Sequence, residues 1–148
     1  MDVDTLVTRV HDALSGIAGI RLAYLFGSRV TGRARPDSDL DVAVLYDPAL
    51  DAAGRLRVQL DIIAALTDTL GAIGERADVV DLGRASSAIG FRAIREGRRA
   101  IERDRAERVR FEARTARRYD DEAPRREIIR RGAIRAARRL GGQATGRP

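Results

Sequence analysis

The run Phe26-Gly27-Ser28-Arg29-Val30-Thr31-Gly32-Arg33-Ala34-Arg35-Pro36-Asp37-Ser38-Asp39-Leu40-Asp41-Val42-Ala43-Val44-Leu45 joins a glycine-serine pair, through ten residues, to two aspartates that open an apolar segment. Before it, Arg21 to Phe26 is apolar and bounded by Gly19 and Gly27, the signature of a buried strand. Gly27 lets the backbone turn sharply, and a short helix starts near Ser28. Gly32 to Ser38, with Pro36 and Asp37, reads as a loop, and Asp39 to Tyr46 as a second strand stopped by Asp47-Pro48.

Outward from this core, Leu6, Val10 and Leu14 lie at helical spacing, so Asp4 to Leu14 reads as an amphipathic helix with Asp4 available as its cap. Gly54 to Leu70 reads as a longer helix with Leu56, Leu60, Ile63, Thr67 and Leu70 on one face, ended by Gly71 and Gly74. Ala77 to Leu82 is a third strand, Ser86 to Glu96 a helix, and Arg99 to Glu102 a short edge strand. Arg105 to Tyr119 and Pro124 to Leu140 are helical by composition, with a break over Asp120 to Pro124. The expectation is an α/β (α+β) fold, a small mixed sheet flanked by helices, with C-terminal helices. Residues 1–140 form one domain and 141–148 a flexible tail.

Composition narrows the chemistry. At 148 residues, 44% hydrophobic and 34% charged, the chain is a single soluble globular domain. It contains neither a spanning apolar run nor a leader, which places it in the cytoplasm and away from the membrane. There is no cysteine, and the single histidine, His11, reads as a surface residue of the first helix. Thiolate and histidine metal sites are therefore excluded, and any metal is held by oxygen, which favours magnesium or manganese. All 28 basic residues are arginine. Residues 1–96 hold 11 arginines against 14 acids, a charge of −3, and residues 97–148 hold 17 against 8, a charge of +9. Acids are interleaved throughout that second part, which argues against direct nucleic-acid binding; a solvated helical face or an acidic protein partner both suit it.

Ser28 at a helix N-terminus, beside free backbone N–H groups, suits an anion, although a serine there is also an ordinary N-cap. Alternation along Asp39 to Leu45 puts Asp39 and Asp41 on one face and Leu40, Val42 and Val44 on the other. Two carboxylates about 4 Å apart repel by roughly 4 kcal/mol at an effective dielectric near 20, so they either diverge into water or share a cation. A third acid, Asp78, sits in the apolar strand Ala77-Asp78-Val79-Val80-Asp81-Leu82, where an unpaired buried carboxylate is costly. If that strand pairs beside the Asp39 strand, three carboxylates converge. Asp81 faces the other way and reads as a turn or capping residue. Tyr24 and Phe26 read as strand core, and Tyr119 as helix packing or a partner contact.

Gly27-Ser28, ten residues, Asp39-x-Asp41 and a downstream Asp78 together resemble the minimal nucleotidyltransferases of the DNA polymerase beta superfamily. Within it the chain most resembles the MntA-type antitoxins that are paired with HEPN-domain ribonuclease toxins. The resemblance extends to Ile94-x-x-Gly97 and the helix from Phe111-Glu112 to Tyr119. It implies a nucleotidyltransferase fold in which Gly27, Ser28 and Arg29 bind ATP, and Asp39, Asp41 and Asp78 hold two magnesium ions. It also implies that Asp78 acts as general base while AMP passes to a tyrosine of the toxin, in a hetero-oligomer. Two alternatives stand beside this: transfer to a small molecule such as an aminoglycoside, and an antitoxin that neutralises its partner by binding alone.

Overall fold

The computed structural model describes residues 1–143. The chain runs α1 (Val3–Leu14), β1 (Ile20–Phe26), α2 (Ser28–Thr31), β2 (Leu40–Tyr46), α3 (Ala52–Leu70), a 3-10 turn (Gly71–Arg76), β3 (Ala77–Asp81), α4 (Ser87–Glu96), β4 (Arg98–Glu102), α5 (Arg105–Asp121) and α6 (Ala123–Gln143). The four strands form one mixed sheet in the order β3-β2-β1-β4. β1 pairs antiparallel with both β2 and β4. β2 and β3 are parallel because the long α3 crossover carries the chain back to the same end of the sheet.

Both faces of the sheet are covered. One layer packs Leu6, Val10 and Leu14 of α1 and Val58, Ile62, Leu66 and Leu70 of α3 on Ala23, Leu25, Leu40, Val42 and Val44. The other gathers Leu22, Tyr24, Phe26 and Ala43 under Ala93 of α4 and Phe111 of α5. Strand alternation thus assigns Leu40, Val42 and Val44 to the first layer and leaves Asp41 on the second face, with Ala43.

Several local expectations change. The cap of α1 is Asp2, which accepts from the Thr5 N–H at 2.8 Å, and Asp4 instead pairs with Arg98 at 2.5 Å. In α3 the buried stripe is Val58, Ile62, Leu66 and Leu70, whereas Leu56 and Leu60 are 57% and 58% exposed. His11 is exposed, yet its ring Nδ1 lies 2.8 Å from the Ala100 carbonyl and tethers α1 to β4. The break near Pro124 shrinks to Glu122: α5 continues through Asp121 and α6 starts at Ala123, since a proline in the first turn forfeits no helical hydrogen bond. α6 also runs past Leu140, through Gly141 and Gly142 to Gln143. Of the tail expected over 141–148, residues 141–143 instead belong to α6, and 144–148 lie outside the described residues.

α5 is fastened to the sheet by polar contacts. The Tyr24 hydroxyl donates to Glu112 at 2.8 Å, and Arg108 donates to Glu102 at 3.0 Å and Glu112 at 2.9 Å. Burial, followed by that hydrogen bond, pushes the Tyr24 hydroxyl well above its ordinary pKa. Tyr119 stacks on Phe91 with ring centroids 4.1 Å apart, closing α5 on α4.

Candidate active site

The site forms where β1 ends and β2 and β3 begin. Phe26, the last residue of β1, is the cross-strand partner of Asp41, and Asp41 is in turn the register partner of Asp78 on β3. Parallel pairing with matched alternation therefore brings Asp41 and Asp78 side by side on the same face. Asp39 immediately precedes Leu40, the first residue of β2, so the strand starts one residue later than expected.

Gly27 joins the two halves of the site. Its backbone, at φ 78° and ψ −160°, occupies a conformation reserved almost wholly for glycine. A Cβ at this position would lie 1.9 Å from the Asp41 Oδ2 and 2.9 Å from its Cγ. The Asp41 carboxylate thus rests directly on the glycine that starts α2, and no other residue leaves it that room. Ser28 follows as the first residue of α2, partly exposed, while the Gly27 carbonyl accepts from the N–H groups of Val30 at 3.2 Å and Thr31 at 3.1 Å.

Electrostatics mark Asp41 as the centre of the cluster. Burial raises its pKa above the ordinary carboxylate value, and the neighbouring charges of Asp78 and Asp39 add to that rise. The Arg92 guanidinium acts in the opposite direction. Asp39 and Asp78 are therefore both within electrostatic reach of Asp41. Among the described residues, no three His, Cys, Asp or Glu side chains are gathered closely enough to hold a metal ion by themselves. The oxygen-only donor set nevertheless fits magnesium, which takes one or two carboxylates and completes its shell with phosphate oxygens and water.

The other expected residues are placed as follows. Asp78 is exposed on the edge strand, so burial imposes no penalty on it, and its proximity to Asp41 is what ties it to the site. Arg29 donates from Nε to the Ser38 carbonyl at 3.0 Å and the Asp39 carbonyl at 3.2 Å. It braces the segment that carries Asp39, a role the sequence did not suggest. Arg76 donates to the Asp37 carbonyl at 2.7 Å and holds the same loop from the other side. Asp81 turns to the opposite face, accepts from the Gly83 N–H at 2.8 Å and approaches Arg55 at 3.6 Å, a turn residue as expected. Arg92 was missed: in a chain with 28 arginines, no pattern distinguished it.

The sequence profile of the family described as polymerase beta, nucleotidyltransferase, matches residues 9–106. The protein adenylyltransferase MntA of Aphanizomenon flos-aquae is 34% identical over 91 residues, which cover 57% of this chain and 59% of that protein. The chain therefore spans less than two thirds of that curated relative. A chain in the crystal structure of a toxin-antitoxin with AMP-PNP is 28% identical with a TM-score of 0.63, covering 84% of this chain and 96% of that one. A chain in the complex of tri-AMPylated Shewanella oneidensis HEPN toxin with MNT antitoxin is 25% identical with a TM-score of 0.55, covering 88% of this chain and 94% of that one.

Proposed function

The chain belongs to the polymerase beta nucleotidyltransferase family, and from that premise we propose that it is a protein adenylyltransferase acting as an antitoxin. It would transfer AMP from ATP to a tyrosine of a cognate HEPN-domain ribonuclease toxin and release pyrophosphate. The observation that carries this reading is the side-by-side pairing of Asp41 with Asp78 while Asp41 rests on Gly27. One contact thereby links the carboxylates to the helix start that suits a phosphate. Similarity to a protein adenylyltransferase, and to chains from toxin-antitoxin complexes with AMP-PNP and with an AMPylated HEPN toxin, supports the choice of nucleotide and acceptor.

In this reading Ser28 and the free N–H groups at the start of α2 hold the β- and γ-phosphates. Asp39 and Asp41, with Asp78 beside them, would hold two magnesium ions, which would supply positive charge to the triphosphate. Arg29 serves the nucleotide through its brace on Ser38 and Asp39. Asp78, exposed at the edge, accepts the proton of the incoming tyrosine hydroxyl, whose ordinary pKa near 10 makes a base useful. The tyrosine oxygen bonds to the α-phosphorus, and the bond from that phosphorus to the β-phosphate oxygen breaks. We place the protein in the cytoplasm with its ATP; among the described residues no helix is long and apolar enough to cross a membrane.

A second reading, neutralisation by binding alone, draws on α6. That helix carries seven arginines against Glu127 and leaves Ile128, Ile129 and Leu140 more than 60% exposed. A cell-protection assay separates the two. Asp39→Ala combined with Asp41→Ala abolishes protection from the co-expressed toxin if transfer is the mechanism; undiminished protection would establish occlusion instead.

A further inference from the structure

Three carboxylates and a triphosphate bring more negative charge together than two divalent cations neutralise, so a fixed cation from the protein is expected at such a site. Arg29 and Arg76 commit their guanidiniums to the backbone carbonyls of Ser38, Asp39 and Asp37. Arg92 is placed differently. It lies in the second half of α4, which packs on the sheet face that carries Asp41 and Asp78. Its Cζ is 5.9 Å from the centre of the Phe26 ring, and Phe26 is both the residue before Gly27 and the register partner of Asp41.

Two features keep this head at the site and available. α4 is set close to β1 at its C-terminal end by Gly97, where a Cβ would lie 2.1 Å from the Ala93 carbonyl oxygen and 2.8 Å from that of Leu25. The absence of a side chain there lets α4 sit against β1, with Arg92 beside Phe26. Its ionic partner is Glu96, at 3.4 Å, with both side chains half-exposed, an i,i+4 surface pair of the kind readily exchanged for a stronger anion. Arg92 also borders an open pocket of about 340 Å³ lined by Phe91, Arg95, Glu96 and Tyr119, so its side chain is not enclosed by the packing of α4 on α5.

We propose that Arg92 is a triphosphate-binding residue of this site, its guanidinium fork taking phosphate oxygens from the α4 side. The inference rests on the nucleotidyl-transfer reading above.

Calorimetric titration of the full chain, in magnesium, with AMP-PNP, inorganic tripolyphosphate and AMP tests it without requiring turnover. Loss of a charge-assisted hydrogen bond predicts that Arg92→Ala weakens AMP-PNP and tripolyphosphate by roughly ten-fold or more. AMP binding stays unchanged, and Arg92→Lys recovers part of the loss. Arg92→Gln keeps the stem over Phe26 and gives the same loss, which separates charge from packing. If wild type binds AMP-PNP and Arg92→Ala binds it equally well, the inference is overturned and the family reading stands. If wild type binds no triphosphate, both fall together.

Discussion

Replacing Gly27 by alanine leaves all three carboxylates in the chain and should nevertheless disable the site. The strain has two sources. At φ 78° and ψ −160° an L-residue is held where essentially only glycine is comfortable, at about 1–3 kcal/mol. The new Cβ also starts 1.9 Å from the Asp41 Oδ2. The carboxylate is the free end of a side chain and can swing away at modest cost in stability, but it then leaves the position beside Asp78. For a domain of this size, 1–3 kcal/mol lowers Tm by roughly 3–10 °C. Displacing a reacting group by about 1 Å costs on the order of a hundred-fold in rate, so AMP transfer should fall by at least that much. Thermal melts and a labelled-ATP assay read the two effects separately. A double-mutant cycle sharpens the test: with Asp41→Ala in place, the Oδ2 and Cγ contacts are gone and only the backbone strain remains. Gly27→Ala should then destabilise by about 1 kcal/mol less than it does in wild type. Wild-type transfer in Gly27→Ala, or strict additivity in the cycle, would refute the argument that this glycine seats Asp41.

Further outcomes follow from the same geometry. Because the folded-state pKa of Asp41 is raised, the folded protein binds its proton more tightly than the unfolded chain does. Its contribution to stability is therefore full below the ordinary value of 3.8 and lost as pH rises through the folded pKa. In chelator, Asp41→Asn should be more stable than wild type near neutrality, with the difference closing in acid; urea melts across that range would show it, and a difference independent of pH would contradict it. Arg29→Ala should release the Ser38 and Asp39 carbonyls and speed hydrogen exchange over residues 33–39, with transfer lowered in step; unchanged exchange would remove its role as a brace. Glu112→Ala should leave the buried Tyr24 hydroxyl without its acceptor and cost about 1–3 kcal/mol in urea melts, while nucleotide binding stays intact.

The sequence made the centre of the fold and the site readable, and its periphery less so. Strong periodicity and glycine punctuation located β1, β2 and the turn at Ser28 to within a residue. The convergence of Asp41 and Asp78 depended on a strand pairing that no local pattern specifies, and the α3 crossover supplies it. The burial argument for Asp78 did not hold, because edge position is a property of the assembled sheet. In α3 two apolar stripes share Leu70, and periodicity alone could not tell which one docks; β-branched Val58 and Ile62 lie inward and Leu56 and Leu60 outward. The place of Arg92 beside the Phe26 ring left no trace in the sequence because it comes from how α4 packs on the sheet.

Asp39, Asp41 and Asp78 are proposed to carry out transfer of AMP to another protein. The most direct measurement is the intact mass of a purified HEPN toxin after incubation with this protein, ATP and magnesium, followed by mapping of the modified residue. The expected result is a gain of one adenylyl group, or a whole multiple of it, on tyrosine, absent with Asp39→Ala plus Asp41→Ala. An unmodified toxin whose ribonuclease activity is nevertheless silenced would contradict it.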